Sequence, residues 1–105
     1  MVINAGNANA FTGKAGVATV TAVAKATAQH LKCKPAEIFQ ASTGVIGEPL
    51  DASPIVSALP GLIAAARGDC WADAARAIMT TDTFAKVATA AVKYAGKTVT
   101  INGIA

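Results

Sequence analysis

The sequence predicts an α/β fold: a small β-sheet packed against helices, closed by a C-terminal β-hairpin. Three observations carry this. Apolar residues recur at helical spacing between Lys14 and Leu31. A short apolar run, Glu37-Ile38-Phe39, reads as a strand and leads into a stretch of small hydroxyl and Gly residues. The last part changes period: Lys86 to Tyr94 and Thr98 to Ile101 are rich in β-branched residues and flank Ala95-Gly96-Lys97, the pattern of two paired strands and their turn.

Taken in order, Val2-Ile3-Asn4 reads as a strand, and Ala5 to Gly13, rich in Asn and Gly, as a structured loop. Gly13-Lys14 fails as a phosphate-binding loop, because Gly6 stands too far upstream and Ala15 follows the Lys. Thr12 is the expected N-cap of a helix from about Lys14 to Leu31. Val17, Val20, Ala24, Ala28 and Leu31 mark its apolar face. Lys32 and Lys34 suit its C-terminus, and Pro35 prevents continuation. The central strand is expected over Glu37 to Ser42, with a bend after it. Ser53-Pro54 has the form of an N-cap followed by Pro in the first turn. Ile55, Leu59, Leu62 and Ile63 support the helix it opens, which Pro60-Gly61 is expected to kink or divide. Gly68 ends this region. Asp69 is the expected cap of a short helix, Trp71 to Met79, with Trp71, Ala74, Ala75 and Ile78 facing a core and Trp71 as its anchor.

The 105 residues bound the chain to one domain, 1–105. The hydrophobic fraction is 53% but only 5% of residues are aromatic, so the apolar content is mostly Ala and Val. Each buries little area, at about 25 cal/mol per Å², and the core is expected to be thin and completed by another segment or subunit. The net charge of +3 is scattered. Lys32 and Lys34 have no aromatics between them, which argues against nucleic acid. Cys33 and Cys70 lack metal-ligand spacing and fit free thiols in a reducing compartment. No apolar run approaches the roughly 20 residues that cross a bilayer, and the N-terminus has no secretory pattern. The expectation is a cytoplasmic protein with no metal and no membrane partner.

Chemistry concentrates in Gln40-Ala41-Ser42-Thr43-Gly44-Val45-Ile46-Gly47-Glu48-Pro49. Gly44 permits backbone conformations barred to other residues and leaves its N–H without a Cβ beside it. Thr43 adds a hydroxyl next to that N–H. Two converging donors can hold the negative oxygen of a tetrahedral intermediate; a plain strand-to-helix turn satisfies the same local sequence. The hydroxyl cluster Thr80-Thr81-Asp82-Thr83 can bind a polar ligand or merely satisfy local backbone groups. His30, the only histidine, stands near a helix end without a Ser, Cys or Asp constellation and reads as a surface residue.

Ala41-Ser42-Thr43-Gly44-Val45-Ile46-Gly47-Glu48-Pro49-Leu50 resembles the signature of the bifunctional glutamate N-acetyltransferase/ornithine acetyltransferase family of arginine biosynthesis. Two further stretches agree in order and approximate spacing: Val2 to Gly13, and Ala77-Ile78-Met79-Thr80-Thr81-Asp82-Thr83. Three collinear motifs spanning nearly the whole chain make the resemblance specific.

The resemblance implies a precursor that cleaves itself into α and β chains. The freed N-terminal Thr of the β chain takes acetyl from N-acetylornithine and passes it to glutamate, with its own amine as base. Bifunctional members also use acetyl-CoA, here a co-substrate rather than a resident cofactor. On this resemblance Thr43 and Gly44 match the oxyanion hole. Thr80 matches a substrate-contacting Thr, with Thr81 the nearest alternative. The family's next motif, Lys-Gly-x-Gly-Met-Ile-x-Pro-x-Met-Ala-Thr, is expected just after Ala105. The chain therefore corresponds to an internal piece of the α region, without the nucleophile, whose partners are the rest of the α chain and the β chain in an oligomer. Ala85 stands where the family usually has Pro after Phe84, a change expected to alter rigidity rather than chemistry. The rival reading from the residues is a non-enzymatic α/β binding or assembly module with exposed Ala-rich faces.

Overall fold

The computed structural model describes residues 1–105 throughout. In chain order the elements are β1 (Val2–Asn7), α1 (Gly13–Leu31), a 3-10 turn (Pro35–Glu37), β2 (Gln40–Val45), α2 (Ala52–Ala65), α3 (Trp71–Ala77), β3 (Val87–Tyr94) and β4 (Lys97–Ile104). The α/β class and the C-terminal hairpin are as the sequence predicts. The chain divides into two compact units, Met1–Ala66 and Arg67–Ala105.

In the first unit β1 and β2 pair in parallel, from Val2 opposite Gln40 to Asn7 opposite Val45. Parallel neighbours need a crossover connection, which α1 supplies. Both strands differ from their predicted bounds. β1 continues through Ala5-Gly6-Asn7, which the sequence assigned to a loop, because ladder pairing outweighs the weak strand preference of these residues. β2 starts later, because Pro35–Glu37 closes a tight turn in which the Lys34 N–H donates to the Glu37 carboxylate at 2.7 Å. It also ends later, so Thr43 and Gly44 lie inside the strand and not on a bend after it.

The buried residues of α1 are Gly16, Val23, Thr27 and Ala28, and α1 packs against α2. The predicted stripe is largely the outward one: Val17 is 68% exposed, and Val20 and Leu31 are also exposed. Apolar residues surround this helix on both sides, so spacing alone does not choose the face. Thr27 is buried with its hydroxyl donating to the Val23 carbonyl at 2.7 Å, as a buried polar group requires. Thr12 precedes α1 without a side-chain cap bond; its hydroxyl donates to Asn9 Oδ1 instead. At the far end Lys32 takes a left-handed conformation and its N–H returns to Ala28 O.

Asp51, not Ser53, caps α2: its carboxylate accepts the Ser53 N–H at 2.9 Å and the Ser53 hydroxyl at 2.8 Å. These two bonds hold the Asp51 carboxyl below its ordinary pKa, the backbone bond contributing most. Pro60 lies within an unbroken helix. Its missing N–H and ring cost about 3 kcal/mol. The neighbouring Leu59, 1% exposed, offsets this with burial of about 1.5–3 kcal/mol. With Val23 it forms the centre of a thin core.

In the second unit α3 is short and has no side-chain cap; Asp69 pairs with Arg67 at 3.3 Å rather than capping it. Ala75 is fully buried, whereas Trp71 is 39% exposed, so small-residue packing and not an aromatic anchor seats this helix. β3 and β4 pair antiparallel, with Tyr94 opposite Lys97. The two turn residues, Ala95 and Gly96, both have positive φ (49° and 76°), the turn that matches strand twist in a hairpin. Thr89 and Asn102 face each other and bond through their side chains at 2.8 Å.

Candidate functional site

The site grows from the β1–β2 ladder. Val2 N–H donates to Phe39 O and Ala8 N–H to Val45 O, both at 2.9 Å. In a parallel ladder alternate residues bond to a given neighbour. These two bonds therefore assign the odd-numbered residues of β2, including Thr43, to β1. All peptides are trans, so the N–H of Gly44 points opposite to the Thr43 carbonyl. That carbonyl faces β1; the Gly44 N–H faces the outer edge of β2, where this two-stranded sheet has no further neighbour.

Gly44 has φ +129°, a conformation L side chains rarely adopt. A Cβ there would run into the carbonyl carbon and oxygen of Gly6 and lie 2.7 Å from Asn7 N. Gly6, directly opposite in the register, also has positive φ, +106°. This paired-glycine approach explains why the sequence needs Gly44, although on a strand and not in a turn.

Side chains alternate across β2. Gln40 and Ser42 point to the helix side, where the Gln40 amide donates to Val20 O of α1 at 2.9 Å. The Ser42 hydroxyl donates to Asn4 Oδ1 at 2.6 Å. Thr43 is exposed on the opposite face. A hollow of about 350 Å³ lies at the start of α1 between Phe11, Thr12, Val17 and Thr21. Another of about 240 Å³ is lined by Asn9, Ala10, Val20, Gln40, Ala41 and Ser42. Neither includes Thr43 or Gly44, so these donors look onto a surface the chain itself does not enclose.

Sequence reasoning did not find Asn4 and Asn7. Asn4 bridges to Asn7, its amide donating to Asn7 O at 2.9 Å, and the Asn7 amide donates to Glu48 O beyond β2 at 3.1 Å. The available signal was the Asn spacing around Gly6: the extended strand places Asn4 opposite Ser42, Gly6 opposite Gly44 and Asn7 opposite Val45.

In the second unit Thr80 and Thr81 are exposed and follow α3. The Asp82 carboxylate accepts the Thr80 N–H at 3.4 Å and pairs with Lys86. The Lys86 hydrogen bond, followed by that N–H and the Lys86 charge, holds the Asp82 carboxyl below its ordinary value. Lys86 also sits 5.3 Å from the centre of the Phe84 ring. Asp82 thus braces the loop that presents Thr80. Cys33 and Cys70 are free thiols, and His30 is exposed. No helix is long and apolar enough to cross a membrane.

The chain is similar to known proteins over its full length. It is 60% identical over 105 residues to the arginine biosynthesis bifunctional protein ArgJ of Bartonella quintana, covering all of this chain and 26% of that protein. It is 54% identical over 105 residues to the protein of the same name from Rhizobium meliloti, covering all of this chain and 25% of that one. The crystal structure of arginine biosynthesis bifunctional protein argJ from Bacillus halodurans superposes with a TM-score of 0.80 at 32% identity, over 98% of this chain and 54% of that one. The chain thus spans about a quarter of the length of the curated relatives it matches. A model of the ArgJ family matches residues 1–105, and the paired glycines, the crossover helix and the hairpin all fall within that match: the chain belongs to the ArgJ family.

Proposed function

We propose that these 105 residues are one piece of the α region of an acetyltransferase of arginine biosynthesis, moving acetyl from N-acetylornithine, or from acetyl-CoA, to glutamate. Thr43 and Gly44 supply the oxyanion hole and Thr80 contacts substrate. The nucleophile, the remaining α segment and the β chain belong to the rest of the protein, which works in the cytoplasm as an oligomer with no resident cofactor. The observation that carries this reading is the Gly44 amide at the outer edge of β2, in a backbone that L side chains rarely adopt, beside the exposed Thr43. Family membership and the relatives' names support the reaction class. Hydrogen-bond donors stabilise an oxyanion strongly only where water is excluded, so a donor pair on an open surface calls for a covering segment.

The test is acetyl transfer by the complete protein. Thr43→Ala lowers kcat by about 10²–10³-fold if its hydroxyl is a donor, and the 105-residue chain alone shows no turnover. Unchanged kcat in Thr43→Ala, or robust turnover by the isolated chain, overturns the assignment.

A further inference from the structure

An oxyanion hole works only if its donors are already aimed when charge develops, and misplacement of about 1 Å costs up to about 10²-fold in rate. The Thr43-Gly44 peptide lies on an outer edge, with β1 alone beside it in the sheet. What ties it from the helix side is a chain of side-chain bonds. Ser42, immediately before Thr43, donates its hydroxyl to Asn4 Oδ1 at 2.6 Å. The same Asn4 amide group donates from Nδ2 to Asn7 O at 2.9 Å. Asn7 in turn donates to Glu48 O at 3.1 Å, and the intervening Gly47 N–H donates to Ala10 O at 3.0 Å. The segment from Ser42 to Glu48 is thus clamped at both ends by β1, and Asn4 is the one side chain that bonds both strands. Its acceptor and its donor are both used, which an aspartate or an alanine cannot reproduce.

We propose that Asn4, through Ser42 and Asn7, is a positioning residue that holds the Thr43-Gly44 donors in line for the tetrahedral intermediate. This rests on the oxyanion-hole reading above. Asn4 does not face the reacting atoms: it shares the Ser42 side of the sheet, opposite to Thr43.

The experiment uses the complete enzyme, with kcat and KM for N-acetylornithine and glutamate measured in parallel with Tm and near-UV circular dichroism. Asn4→Ala and the milder Ser42→Ala, which removes one bond and leaves the Asn4–Asn7 link, each lower kcat by roughly tenfold. KM for both substrates stays within about twofold. The double variant Asn4→Ala/Ser42→Ala is no slower than Asn4→Ala, because both break the same bond. On a Thr43→Ala background the Asn4→Ala loss shrinks well below its wild-type size, as expected for residues acting as a unit. A natively folded Ser42→Ala enzyme with unchanged kcat overturns the proposal. So does a raised KM at constant kcat, or losses for Asn4→Ala and Thr43→Ala that multiply in full. If Thr43→Ala alone leaves kcat unchanged, the oxyanion reading itself falls and this proposal with it; loss in Thr43→Ala without loss in Ser42→Ala removes only the role of Asn4.

Discussion

Replacing Gly44 with alanine tests the central structural argument most directly. Two penalties apply at this position. The backbone at φ +129° is one an L residue sustains only under strain of about 1–3 kcal/mol. The new methyl also collides with the Gly6 carbonyl and comes within 2.7 Å of Asn7 N. Backbone cannot swing aside as a side chain can, so the strands must separate; overpacking of this kind costs a further 1–3 kcal/mol or so. Gly6 and Gly47 provide internal controls. Each has positive φ (+106° and +87°), yet a Cβ at either meets nothing within 4 Å. Gly6→Ala and Gly47→Ala therefore carry only the backbone penalty, and Gly44→Ala exceeds them by about 1–3 kcal/mol. Hydrogen–deuterium exchange read on peptides covering β1 and β2 measures this as the local opening free energy. Equal loss of protection in Gly44→Ala and Gly6→Ala would falsify the close-approach argument and leave Gly44 as an ordinary flexible position.

Other substitutions probe the packing and the second unit. Leu59→Ala empties the centre of the α1–α2 contact and lowers stability by about 2–5 kcal/mol in denaturant unfolding; a loss below 1 kcal/mol would mean the core lies elsewhere. Gly16→Ala drives a methyl into the Thr12 hydroxyl and to 2.6 Å from Asn9 Oδ1. The broken Asn9–Thr12 bond, about 0.5–1.5 kcal/mol, nearly cancels the gain in helix propensity of about 1 kcal/mol. Overall stability then barely moves while amide exchange over Asn9–Thr12 accelerates, and unchanged exchange there counts against the contact. For Asp82 the folded pKa is depressed, so its bracing of the Thr80 loop is complete above the ordinary carboxylate pKa and is lost as pH falls through the lower folded value. A carboxyl carbon NMR titration places the Asp82 midpoint below that of a peptide Asp, and Lys86→Met raises it; a midpoint that ignores Lys86 contradicts the pairing.

The order and type of most elements follow from local chemistry. Pro35 bars any continuation of α1, which the left-handed Lys32 already ends, Ala95-Gly96 turns the hairpin, and β-branched residues mark β3 and β4. Motif resemblance likewise singled out Thr43 and Gly44 before any geometry. Boundaries were less legible. The Ala5-Gly6-Asn7 run looks like a loop in isolation and becomes strand only because β2 lies beside it. The Ser53-Pro54 pair looked like a cap, but the carboxylate of Asp51 reaches the same N–H from one step further back.

By itself, then, the amino-acid order determined the class and the hairpin turn at Ala95-Gly96, because these are properties of single residues and their immediate neighbours, whereas the need for glycine at position 44 comes from its approach to the distant Gly6. Tertiary structure alone decided which side of α1 is buried, since an Ala- and Val-rich helix offers an apolar surface in several directions and packing against α2 helps to select one. It also decided that Thr43 and Gly44 belong to a strand edge braced by Asn4. Those bonds join residues far apart along the chain, and no local pattern specifies which distant hydroxyl an asparagine will meet.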